Sequence, residues 1–110
     1  MGMRYVPGTV MIGRVPFDNS SGAKGRPVVI VGNPAYWGKD ASALVCAVTS
    51  VGPRSGDVPI DWQAAGLLQP SYVRPRPRIL ARADLEWRVG ALTADDLEAL
   101  NDALRMVLGL

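Results

Sequence analysis

The distribution of apolar and polar positions predicts about five short strands and one clear helix. Val28-Val29-Ile30-Val31 is an unbroken β-branched run, which reads as a strand covered on both faces at the centre of a sheet. Pro27 before it lacks an N–H, so the strand is expected to start there, with Arg26 held just outside it. Gly8 to Val15 forms a first strand between Pro7-Gly8 and Pro16, and the turn-rich loop 17–23 leads into the basic hinge Lys24-Gly25-Arg26-Pro27. After Gly32-Asn33-Pro34, residues 35–40 read as a loop, and Ala41 to Ser50 as the next strand, with Thr49-Ser50 where it meets a loop. Asp57 to Ile60 is at most an edge strand, and Asp61 caps one helical turn through Trp62-Gln63-Ala64-Ala65. Ser71 to Arg74 and Arg78 to Ala81 are two further short strands around Pro75-Arg76-Pro77.

The closing helix follows an N-cap at Thr93, with Asp95 and Asp96 in the first turn where the helix dipole favours them. Leu97, Leu100, Leu104, Val107 and Leu108 recur at helical spacing as one apolar face for packing on the sheet. The fold class is therefore mainly β, within α+β: a small, strongly curved β-barrel or sheet closed by a C-terminal helix.

Length and composition narrow the picture. A chain of 110 residues with 48% apolar content is one domain, residues 1–110, with enough material for a core. No apolar run approaches the roughly 20 residues that span a bilayer, and the N-terminus lacks the apolar stretch of a secretory signal. The expectation is a cytoplasmic protein without membrane contact. Cys46 is the single cysteine, in the apolar context Ala43 to Val48, and reads as a buried structural thiol. There is no histidine, which removes Ser-His and Cys-His nucleophile pairs and the usual imidazole acid or base. No metal and no cofactor is expected. Chemistry must run on Arg, Lys, Thr, Ser or a carboxylate.

Charge is segregated, and ten of the twelve cations are arginine. Residues 1–33 and residues 71–90 each carry a net +3, while residues 91–110 carry −3. Such a field favours a polyanion on one face. Arg26, at the head of a rigid strand, suits phosphate oxygens; the alternative is an arginine paired with a surface carboxylate. Arg74, Arg76 and Arg78, spaced by two in an extended path, point the same way. They are either ligand-facing or a charged edge that resists aggregation.

Several segments together resemble one family. They are Gly8-x-Val10 with Pro16-Phe17, Lys24-x-Arg26-Pro27 before an apolar strand, and Ala47-Val48-Thr49-Ser50. Gly66-Leu67 follows with Pro70-Ser71-x-Val73-Arg74, and then Gly90-x-Leu92-Thr93 opening the last helix. The ordered set resembles the PemK/MazF toxins of bacterial type II toxin–antitoxin modules over nearly the whole chain. The resemblance implies an SH3-like barrel with a C-terminal helix, as in PemK and CcdB. It also implies a homodimer that cuts single-stranded RNA at short sequences and is neutralised by a cognate antitoxin. In that family the arginine of the Arg-Pro step and the threonine ending the next strand are the catalytic pair, matching Arg26 and Thr49. Arg74 matches an arginine that contributes in some members.

Two acids found in other members have no counterpart here. Pro75, Arg76 and Pro77 follow Arg74, and Lys24 stands near where a loop Glu often lies. The general base is left open between Arg26 itself, a water and Asp18.

The remaining substrate-binding candidates are Lys24, Arg76 and Ser50, the last as a second hydroxyl beside Thr49. Recognition of single-stranded RNA also requires stacking surfaces. Phe17, beside the basic hinge, is the first candidate, against simple packing; Tyr36, Trp37 and Tyr72 follow, and Trp62 and Trp87 are read as core or dimer contacts. A cationic groove would also accept the acidic, partly disordered tail of an antitoxin. The alternatives are a non-catalytic RNA-binding module of the same fold, or a gyrase-poisoning toxin like CcdB. Against the latter, the chain ends Leu108-Gly109-Leu110, without the C-terminal Trp-Gly-Ile of those toxins.

Overall fold

The computed structural model describes residues 5–16, 22–37, 39 and 41–110. Among these residues, seven strands and two α-helices follow one another: β1 (Thr9–Pro16), β2 (Ala23–Val31), α1 (Pro34–Trp37), β3 (Ser42–Thr49), β4 (Val58–Pro59), β5 (Tyr72–Val73), β6 (Arg78–Ala81), β7 (Leu85–Ala91) and α2 (Ala94–Leu108), with one 3-10 turn at Arg82–Asp84. The strands form one antiparallel, barrel-like sheet in the order β4-β5-β3-β2-β1-β7, with β6 also on β3. Val45 pairs with Ile30 of β2 and with Arg78 of β6, so β3 is flanked on both edges.

The β-branched run behaves as its composition requires. Val28 to Val31 are all buried, and alternate residues enter two different cores. Val29 and Val31 join Val10, Cys46, Val73 and Leu100 on the face covered by α2. Val28 and Ile30 join Met11, Val45, Leu80 and Leu85 inside the opposite curl of the sheet. A strand sealed on both faces is the most rigid platform a small sheet offers.

Three expectations are corrected. β2 begins at Ala23 rather than at Pro27, so Lys24, Gly25 and Arg26 lie within the strand. They pair with Val15, Arg14 and Gly13 of β1. Pro27 is tolerated because β2 meets β3 only from Val28 onward, which leaves its other side an edge at the proline. Residues 34–37 form a helical turn, not a loop, because the Asn33 side chain accepts from the Ala35 N–H at 2.9 Å. About five strands are expected, but seven form among the described residues, one of them over residues 85–91, for which the sequence reading assigned no element.

The capping turn at Asp61 is as expected, with its carboxylate accepting from the Ala64 N–H at 3.1 Å. Thr93 caps α2 by accepting from the Asp96 N–H at 3.1 Å, and Gly109 ends it in the left-handed conformation at φ 74°. Asp96 accepts in turn from the Asp61 N–H at 2.7 Å, tying the first turn of α2 to the connector before β5. The apolar face of α2 is only partly used. Leu100 is fully buried and Leu97 and Leu104 pack on the core, but Val107 and Leu108 are more than half exposed, because the helix outruns the sheet. No helix among the described residues is long and apolar enough to cross a membrane.

Candidate active site

A groove of about 640 Å³ opens where β2, the end of β3 and β7 converge. One wall is the segment Lys24 to Pro27 and the facing wall is Val48 to Val51. The turn Gly66 to Gln69, with Ser71, makes a lip, and Ile12, Trp87 and Val89 lie across the floor from β1 and β7. Four of the seven candidate site residues therefore line one cavity: Lys24, Arg26, Thr49 and Ser50.

Their local geometry follows from the strands that carry them. Lys24 and Arg26 sit two apart on β2 and are both exposed. Neither forms an ion pair with a described residue, so among those residues the surface-pair reading of Arg26 finds no carboxylate. Thr49 is the last residue of β3. Its hydroxyl accepts from the Val51 N–H at 3.0 Å and donates to the Val51 carbonyl at 3.2 Å. This local turn fixes the oxygen while leaving it a free lone pair and a weakly held proton. Ser50 beside it is exposed.

Arg74 and Arg76 do not line this groove. Arg74 is folded back onto the loop after β3. Its Nη2 donates to the Val51 carbonyl at 3.4 Å, and its Nε lies 3.7 Å from Asp57 Oδ2. Asp57, whose side chain is only 3% exposed, accepts from the Arg54 N–H through the same oxygen at 2.8 Å. The arginine thus clamps the loop that carries Thr49's partner. Arg76 is exposed, and its N–H donates to the Arg74 carbonyl at 2.8 Å, so the chain turns at Pro75 and the three arginines do not share a face. Phe17 and Asp18 lie outside the described residues.

Cys46 matches its reading: it is fully buried, and burial pushes its thiol up to about 12. Arg82 is also structural, because Nε and Nη2 donate to the Ser42 and Trp37 carbonyls while the guanidinium lies 4.3 Å over the Tyr5 ring.

Sequence reasoning missed Asp57, Ile12, the lip Gly66 to Gln69 and, above all, Trp87. That indole is 56% exposed and faces the groove, not the core. The alternation Leu85-Glu86-Trp87-Arg88-Val89 signals a strand but would put Trp87 on the buried face with Leu85, so the sequence carried no signal for its outward aim.

Comparison with known proteins agrees with this fold. The model of the PemK-like, MazF-like toxins of type II toxin–antitoxin systems matches residues 8–108. The toxin MazF-mt6 of Mycobacterium tuberculosis is similar at 27% identity and a TM-score of 0.75, covering 93% of this chain and 97% of its own. A MazE–MazF complex from Deinococcus radiodurans shares the fold at 21% identity and a TM-score of 0.76, over 94% of this chain and 95% of the other. A mycobacterial endoribonuclease solved with its cognate antitoxin does so at 23% identity and a TM-score of 0.75, over 96% and 95%. No curated protein matches closely enough to count as a relative. With the family pattern running from the first strand to the end of the last helix, the chain belongs to the PemK/MazF toxins of type II toxin–antitoxin systems.

Proposed function

We propose that this toxin is an endoribonuclease that cuts single-stranded RNA in the groove between β2 and the end of β3, without a metal. The observation that carries the reading is that Lys24, Arg26, Thr49 and Ser50, drawn from two strands, line one cavity. Two cations and two hydroxyls lining one groove are a phosphate-binding arrangement.

The chemistry needs only groups that the chain supplies. The 2′-oxygen attacks its own phosphorus, the O2′–P bond forms and the P–O5′ bond breaks, leaving a 2′,3′-cyclic phosphate and a 5′-hydroxyl. Arg26 stabilises the charge that builds on the phosphorane, and its place in β2 avoids reorganisation at that moment. Thr49 holds a phosphate oxygen or the 2′-hydroxyl, Ser50 gives a second hydrogen bond, and Lys24 a second cation. With Arg26 kept as the cation, the proton leaving the 2′-oxygen goes to a water or to Asp18, and one is returned to the departing 5′-oxygen. The toxin works as a homodimer in the cytoplasm and is silenced when the acidic tail of a cognate antitoxin fills the same cationic groove.

The test is incubation of purified, antitoxin-free protein with long mixed-sequence RNA in EDTA, beside Arg26→Ala and Thr49→Ala, followed by mapping of the ends. The expected result is discrete cuts by the wild type alone, with 5′-hydroxyl termini. Retardation of intact RNA by folded wild-type protein would establish the non-catalytic binding reading instead.

A further inference from the structure

The groove has a second surface that the phosphate chemistry does not use. Beside its cations and polar groups, the groove is lined by large apolar side chains: Trp87 and Ile12 from the sheet, Leu67 and Leu68 from the turn Gly66 to Gln69. Leu68 is 95% exposed and Trp87 is 56% exposed, which is unusual for an indole that could have turned into a core two residues away.

The backbone explains why it did not turn inward. Leu85 is buried in the core with Val28 and Leu80. In a regular strand Trp87, two residues on, would point the same way. Here Gly13 pairs with Leu85 while Ile12 pairs with Trp87, so Glu86 is an extra residue on β7; Met11 pairs with Arg88 while Val10 pairs with Gly90, so Val89 is another. Trp87-Arg88 is bracketed by two bulges, the device by which strands re-aim a side chain.

The register also fixes where the indole lies. Ile12 pairs with Trp87 on one side and with Pro27 on the other. Trp87 is therefore two strand spacings, about 10 Å, from the residue following Arg26.

Resting on the nuclease reading of the groove, we infer that Trp87 is a base-stacking platform that binds a nucleobase near the phosphate held at Arg26, with Leu68 as the apolar cover above it. A strand binder needs both a cationic track and an aromatic face, and this groove supplies both. Trp87 contributes to substrate affinity and to the choice of base, not to the bond-breaking step.

The test uses 2′-deoxy single-stranded oligonucleotides of mixed sequence, which lack the attacking hydroxyl, and the same backbones with abasic residues throughout. Binding is read by anisotropy, and by fluorescence in a variant carrying Trp37→Phe and Trp62→Phe so that Trp87 is the single tryptophan. The expected result is quenching of Trp87 by the base-bearing strand. Binding of that strand by Trp87→Ala should be weaker by about 5- to 150-fold, with Trp87→Phe largely restored and abasic binding unchanged in all three. Equal binding of the base-bearing strand by wild type and Trp87→Ala overturns the stacking role while leaving the groove reading intact. Equal loss for both strands, accompanied by conversion of Trp87→Ala to monomer in sedimentation, makes the residue a subunit contact. If wild type binds neither strand, the RNA reading of the groove falls and this inference with it.

Discussion

Gly90→Ala is the sharpest perturbation this fold offers. A Cβ built on Gly90 would meet the Ala65 carbonyl oxygen at 2.2 Å and the Ala65 carbonyl carbon at 2.7 Å. One built on Gly66, which also has φ +83°, would meet the Val89 carbonyl oxygen at 2.6 Å. Two glycines thus let the connector before β5 lie directly on β7, backbone against backbone. The Ala65 contact would have to widen to at least 3.0 Å, and neither partner is a side chain that can rotate away. Ala65 and Val10, the cross-strand partner of Gly90, are both fully buried, so the shift propagates into the core. Overpacking of this kind costs about 2–3 kcal/mol or more, equivalent to a Tm lower by roughly 10–20 °C for a chain of this size.

The same substitution reaches function, because Gly66 to Gln69 is the lip of the groove. Variant that remains folded should show a raised KM for RNA. The assay is thermal unfolding by circular dichroism at one fixed protein concentration, beside Gly56→Ala. That glycine also has positive φ, but nothing lies within 4 Å of its would-be Cβ, so the control isolates backbone strain, worth about 1 kcal/mol. A Gly90→Ala protein with wild-type Tm, or one no less stable than Gly56→Ala, would refute the close approach.

Three further outcomes follow from single contacts. Arg74→Ala should cost about 2–4 kcal/mol by leaving the Asp57 carboxylate buried without its cation and should lower kcat through the loosened Thr49 turn; the loss should shrink by at least ~1 kcal/mol in an Asp57→Asn background, measured as a double-mutant cycle. The Cys46 thiol, pushed up to about 12 by burial, should resist thiol reagents at pH 8 and react fully in guanidinium. Because the folded thiol keeps its proton to higher pH than the unfolded one, its contribution to stability is complete below about pH 9 and declines from there toward 12, which urea titrations across that range would register. Thr93→Ala removes the cap on Asp96 N–H and should cost about 1 kcal/mol, with Thr93→Ser restoring most of it.

How far the sequence could be read depended on whether a feature is local. Val28 to Val31 announces a doubly covered strand because four β-branched residues in a row have no other economical use, and Thr93 with Asp95 and Asp96 announces a helix start. Thr49-Ser50 could be placed at a strand end by the loop residues that follow it. Arg74 could not be read this way. Its partner Asp57 is seventeen positions earlier in sequence and becomes one only when β4 and β5 pair, at Val58–Val73 and Pro59–Tyr72. Trp87 was hidden for a different reason: its outward aim depends on extra residues in β7 relative to β1, a property of the pairing that neither strand shows alone.

The same distinction changes the meaning of the charge blocks. Residues 71–90 carry a net +3, and a basic block of that kind suggests a polyanion surface. In the fold those arginines separate. Arg74 is committed to Asp57 and the Val51 carbonyl, Arg82 to two carbonyls and the Tyr5 ring, and Arg88 lines a different, mostly apolar cavity with Val6, Met11 and Leu92. Among the described residues, the cations left in the groove are Lys24 and Arg26 alone. Two cations hold a phosphate but do not distinguish one sequence from another, since every nucleotide presents the same phosphate. On the proposed reading, discrimination has to come from surfaces that touch bases, and among the described residues the groove offers the indole of Trp87 and the leucines of the lip for that contact.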